Sequence, residues 1–136
     1  MSQENLEVVR RSCEAWARGD LAAWLETLHP EIVWDSSHFE GWLEGSVFRG
    51  RIEVRGFLVD EWLASWEHYE ARVEEVAEAG DRVLVRWWQR MVGAGGGVPL
   101  VVHTAQLCSV RDGRVTRIDN YTDQSEALKA VGLADG

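Results

Sequence analysis

The sequence predicts a single α+β domain: a curved antiparallel β-sheet wrapped around three helices of the N-terminal half, closed by a short C-terminal helix. Three observations carry this. Apolar residues recur every third or fourth position in three stretches up to Tyr69, they alternate from there almost to the end, and the alternating half is cut by turns too short for crossover helices. At 136 residues and 46% hydrophobic content, the chain fits one domain spanning 1–136 with a well-filled core.

Leu6, Val9, Cys13 and Trp16 mark one face of a first helix, which Gly19 stops. Asp20 caps a short second helix that buries Leu21, Trp24, Leu25 and Leu28 before Pro30 breaks it. Glu31 to Asp35 is β-prone, and Ser36 to Gly50 follows as a loop carrying His38, Phe39 and Trp42. Arg51 to Tyr69 reads as a third helix, with Val54, Leu58, Trp62, Trp66 and Tyr69 on one stripe. Gly80-Asp81, Gly93 to Gly97 and Asp112-Gly113 then divide four strands, near 70–79, 82–92, 98–110 and 114–122. Gln124 to Val131 reads as a terminal helix closed by Gly132. A strongly twisted sheet wrapped round helices leaves a tapering, cone-shaped space of the kind that holds ligands.

The 14 basic residues against 23 acidic ones give a net charge of −9, which repels a phosphate backbone and argues against nucleic-acid binding. The acidic opening from Met1 to Glu7 lacks the pattern of a secretory signal, and no stretch is long enough to span a bilayer, so a soluble, cytoplasmic protein without a membrane partner is expected. Cys13 and Cys108 read as two buried thiols rather than a disulfide. The four histidines have no paired spacing for a metal, and no phosphate loop is present, so no metal and no cofactor are expected.

The phrases from Val9 to Leu21 (VRRSCEAWARGDL), His29 to Asp35 (HPEIVWD), Phe48 to Phe57 (FRGRIEVRGF), Val110 to Val115 (VRDGRV) and Tyr121 to Leu133 (YTDQSEALKAVGL) are similar to a known family. The chain resembles the SnoaL-like polyketide cyclase branch of the nuclear-transport-factor-2-like superfamily, of which ketosteroid isomerase is a cousin. The resemblance covers almost the whole chain and implies the cone fold. It implies no single reaction, because the superfamily contains isomerases, cyclases, hydrolases and members without known chemistry. Asp35 stands where the isomerase has its proton-moving Asp. Ser12 and Gln106 stand where it has the Tyr and the protonated Asp that hold an oxyanion. Asn120 stands where the cyclases have an acid, and Asp119, one residue away, should face oppositely.

The candidate catalytic residues are therefore Asp35, as a base whose pKa burial would raise, and His38 in the overhanging loop. The competing readings are a solvated strand-end carboxylate and a surface histidine. The candidate substrate-binding residues are Ser12, Trp16, Trp42, Leu58, Trp62, Trp66, Gln106, Ile118 and Asn120. Gln106 and Asn120 could fix a carbonyl or hydroxyl, or simply satisfy each other.

Eight Trp outnumber two Tyr and three Phe combined, and most of them are expected to fill core volume. Trp34 should face away from Asp35, and Trp87 and Trp88 must point to opposite faces. His103 should turn away from the cavity. An outward Trp88 beside Arg86 and Arg90 suggests a homodimer through the outer sheet face, as the resemblance also implies.

The expected function is binding of a small, largely apolar molecule, with cofactor-free acid–base chemistry of the isomerase or cyclase kind at Asp35. One alternative is a non-catalytic binding or dimerisation module. Another is epoxide-hydrolase-like addition of water, for which the resemblance implies an Asp–Arg–Asp relay and the sequence offers Arg86 and Arg90 with Asp119.

Overall fold

The computed structural model describes residues 2–38 and 47–132. Helix α1 (Ser2–Ala17) and helix α2 (Leu21–Glu26) form the expected hairpin. Gly19 makes the corner in the left-handed region at φ 78°, which favours a residue without a Cβ. Asp20 caps α2 by accepting the amide of Ala23.

Strand β1 (Leu28–His38) starts earlier and runs further than its β-prone core suggests, and Pro30 lies inside it. Proline is tolerated there because the pairing of β1 with the last strand is irregular between Leu28 and Val33. Part of the expected loop is instead strand β2 (Val47–Arg49), antiparallel to β1; Phe39 and Trp42 lie outside the described residues.

The third helix is shorter than its stripe. Helix α3 (Gly50–Arg55) passes into a wider π-helical stretch, Gly56–Trp62, and a single 3₁₀ turn, Leu63–Ser65. Trp66 and Tyr69 belong to strand β3 (Trp66–Ala79), where Trp66 pairs with Gly93 and Tyr69 with Met91 of strand β4 (Arg82–Gly93). Ladder pairing, a long-range term invisible to local spacing, overrides the helical period here.

Strands β5 (Leu100–Arg111) and β6 (Arg114–Tyr121) complete a six-stranded sheet in the order β2-β1-β6-β5-β4-β3. The hairpin between them turns at Asp112 (φ 53°) and Gly113 (φ 76°), the two positive-φ positions that an Asp-Gly turn supplies. The tight turns make β3 to β6 antiparallel as expected, but β1 and β6 are parallel. The connection between those two runs through helices and four strands, so no short turn constrains their direction.

Helices α1 to α3 pack on the concave face around Val9, Val54, Leu58, Val85 and Ile118. Helix α4 (Gln124–Ala130) lies on the opposite, outer face, where Ala127 closes a second cluster with Leu84, Ala105, Leu107 and Tyr121. The molecule is thus α+β as predicted, with a helical layer inside the curved sheet and one helix behind it.

Candidate ligand-binding cavity

Between the helices and the concave face lies a narrow cavity of about 60 Å³. Seven aromatic side chains line it: Trp16, Trp24, Trp34, Phe57, Trp62, Tyr69 and Trp87. Of the sequence candidates it gathers Ser12, Trp16, Leu58, Trp62, Gln106, Ile118 and Asn120. No cavity-lining residue among those described is Asp, Glu, His, Lys or Arg.

The polar lining is organised in two hydrogen-bonded chains. In the first, the Trp87 indole donates to Gln106 Oε1 (2.9 Å), Gln106 Nε2 donates to Asn120 Oδ1 (2.9 Å), and Asn120 Nδ2 donates to the main-chain carbonyl of Asp35 (3.1 Å). An indole N–H can only donate and a carbonyl can only accept, so the two ends fix the orientation of both amides. Among the described residues each amide keeps one N–H to spare.

In the second chain the Trp16 indole donates to the Tyr69 hydroxyl (3.0 Å), which donates to Gln89 Oε1 (2.6 Å), and Gln89 Nε2 donates to Thr104 Oγ1 (2.7 Å). Burial pushes the Tyr69 phenol up to about 12, against the hydrogen bonds of Trp16 and Trp62 that favour its ionised form. Elsewhere on the wall, the Trp34 indole donates to Ser36 Oγ (3.0 Å), and the hydroxyls of Ser12 and Thr27 lie 2.8 Å apart. Both thiols reach the cavity. Burial raises Cys108 to about 12, helped by the Asp119 charge, and lifts Cys13 well above the ordinary thiol range, with Cys108 and Glu14 adding to the shift. At neutral pH the whole lining is therefore uncharged.

The carboxylate of Asp35 does not line this cavity. Strand alternation holds, but its phase is the reverse of the expected one: Trp34 and Ser36 face in, and Asp35 faces out. The signal was present in Ile32-x-Trp34, two large apolar side chains on one face of the strand, whose burial outweighs that of a carboxylate. On the outer face, Arg117 Nη2 lies 2.6 Å from Asp35 Oδ2 and 3.1 Å from Asp119 Oδ1, and Arg82 stands 3.6 Å from Asp119. Burial pushes the Asp35 carboxyl up, but hydrogen bonding from Ser37 and the charges of Arg117 and His38 outweigh it and hold it below the usual carboxylate range. Desolvation therefore does not make Asp35 the raised-pKa base that the sequence suggested.

His38 is exposed and stacks on Tyr121 at 4.4 Å, so it too belongs to the outer face. Trp66 packs edge-on against Trp62 at 5.6 Å without lining the cavity, because the strand it opens turns it aside. Trp42 lies outside the described residues.

An Asp–Arg–Asp arrangement does exist, with Arg117 at its centre. Arg86 instead pairs with Glu75 at 2.7 Å. Asn120 faces the cavity and Asp119 does not, since β5 and β6 stay in register from Ala105 to Ser109. His103 points outward to Glu74, and Trp88 lies outward beneath the Arg72 guanidinium, 4.6 Å from its centre. Sequence reasoning missed Tyr69, Gln89 and Thr104 as a connected set. The available signal was Gln89, a polar residue between Trp87 and Met91 on the inward stripe of β4.

Among the described residues no group of three or more His, Cys, Asp or Glu could hold a metal ion, and no helix is long and apolar enough to cross a membrane.

A helix-lined cone inside a bent sheet, with a cavity at its centre, defines the nuclear-transport-factor-2-like class of fold. The chain belongs to the family of SnoaL-like domains, whose model matches residues 9–118. Among solved structures it is similar to TerC co-crystallised with polyporic acid, at 22% identity, covering 94% of this chain and 98% of that one with a TM-score of 0.75. It is also similar to a protein of Xanthomonas campestris assigned as a polyketide cyclase, at 25% identity, covering 96% and 98% with a TM-score of 0.70. A Catenulispora acidiphila protein with a ketosteroid isomerase-like fold, in complex with trimethylamine, matches at 21% identity, covering 94% of each chain with a TM-score of 0.71. No curated protein matches the chain.

Proposed function

We propose that the protein binds a small, uncharged, largely apolar molecule in this cavity, and that Gln106 and Asn120 hold a hydrogen-bond acceptor of that molecule. One observation carries the reading: an uncharged, aromatic-rich enclosure contains two amides whose orientation is fixed and whose spare N–H groups have no partner among the described residues. A formal charge entering it would lose its hydration without a counter-charge, at a cost of several kcal/mol. The small molecules held by the TerC and Catenulispora proteins support ligand binding as the use of this fold. With the carboxylates of Asp35 and Asp119 behind the sheet, binding is favoured over proton-transfer chemistry.

The test is an NMR titration following the indole N–H signals of ¹⁵N-labelled protein with three ligands of similar size: acetophenone, benzoate and benzylamine. Acetophenone should shift the Trp87 signal saturably, with the two ions at least tenfold weaker. Equal binding of the ions, or no saturable shift with acetophenone, overturns the proposal.

The proposal extends to a homodimer through the outer face. There α4 leaves open the part around Trp88 and Val101, which is 47% exposed, among the charges of Arg72, Arg86, Arg90, Glu74 and Glu75. Sedimentation equilibrium should give twice the chain mass, and Trp88→Glu should halve it; a monomeric wild type refutes this part.

A further inference from the structure

We infer that the cavity has two hydrogen-bonding ends and that its ligand is a ring compound carrying two acceptor atoms, one for each chain. This rests on the binding reading above and adds the class of ligand. The direction of every bond in the second chain is determined. Tyr69 receives the indole N–H of Trp16, and Trp62 is hydrogen-bonded to the same phenol. Both lone pairs of the hydroxyl are then taken by groups that only donate, so its one hydrogen must go to Gln89 Oε1. That sets the Gln89 amide, whose nitrogen donates to Thr104 Oγ1. Thr104 is an acceptor in this contact, and its own hydroxyl hydrogen has no partner among the described residues.

Thr104 is 5% exposed and lines the cavity. A buried hydroxyl left without an acceptor is costly, and a ligand oxygen removes that cost. The chain also runs one way, from indole to hydroxyl, so each bond polarises the next and leaves the terminal O–H a stronger donor.

Thr104 and Gln106 are two positions apart on β5 and both line the cavity, which separates them by about 7 Å along the strand. Two donors at that spacing suit acceptors on opposite sides of one ring, and the aromatic walls leave room for little more. A ligand with one acceptor satisfies one end and leaves the other bare.

The experiment compares 1,4-cyclohexanedione with cyclohexanone by the same indole titration, with acetophenone as the reference binder. The dione is the more polar compound, so simple apolar partition favours the monoketone. The two-ended cavity should reverse that order by about tenfold. The dione should also shift both the Trp16 and the Trp87 indole signals, one reporter per chain. Thr104→Val, which keeps shape and removes the hydroxyl, should abolish the preference and leave cyclohexanone within twofold; Thr104→Ser should restore it. Equal or weaker binding of the dione, while acetophenone still binds, overturns the two-ended inference alone. If none of the three binds, the binding reading falls and this inference with it.

Discussion

Replacing Arg117 with Met tests whether Asp35 and its neighbours form a structural ion cluster rather than a reactive site. Asp35 is 8% exposed and Asp119 6%, so the substitution leaves two buried carboxylates short of their shared cation. Breaking a fully buried pair costs about 3–5 kcal/mol, whereas an exposed pair is worth under about 1 kcal/mol. The Arg117 side chain is 42% exposed and Arg82 stays within 3.6 Å of Asp119, so the loss should fall between these limits, at about 2 kcal/mol, and mainly on Asp35. Urea unfolding followed by tryptophan fluorescence measures it, with Asp35→Asn and the double variant closing a cycle whose coupling should be about 1–2 kcal/mol.

The pH dependence fixes the sign. A carboxyl held below its unfolded value of about 3.9 contributes stability that is fully present above that pH and is lost as pH falls through the folded value. Without Arg117 the carboxyl loses one of the groups that hold it down and its folded value moves up toward the unfolded one, so the variant falls further behind the wild type as pH rises from about 2.5 to about 5. A loss below about 0.5 kcal/mol, or an equal loss at both pH values, would refute the cluster as a source of stability.

Two further outcomes follow from the packing. Cys13 and Cys108, both buried with raised pKa values, should resist iodoacetamide at pH 8 and react only in urea; rapid labelling of the folded protein contradicts their burial. Leu107→Ala, at a site with 0% exposure behind the sheet, should cost about 2–4 kcal/mol and speed hydrogen exchange in α4; unchanged exchange there would mean that α4 does not depend on the second cluster.

Much of the fold was legible because its signals are local. Gly19, Asp20 and Asp112-Gly113 each carry out the corner, cap or turn that their chemistry allows. Apolar alternation located β4, β5 and β6 within two residues at each end. The candidate site was partly legible for the same reason: Ser12, Trp16, Gln106 and Asn120 follow helical or strand periodicity into the cavity. The failures share a physical origin. Trp66 and Tyr69 fit a helical stripe and a strand equally well, and only pairing with β4 decides between them. Asp35 illustrates the other limit, since alternation says that neighbours face opposite ways without saying which faces in.

By itself the sequence determined an α+β domain, an acidic surface, an aromatic interior and two amides on one face of a hairpin, because composition and period are properties of the chain alone. Only the tertiary structure decided that β1 runs parallel to β6, that its carboxylate joins Arg117 behind the sheet, and that Tyr69, Gln89 and Thr104 meet in one chain. Those outcomes depend on contacts between residues far apart in sequence, where burial of an indole or pairing of a charge outweighs any preference that a residue carries locally.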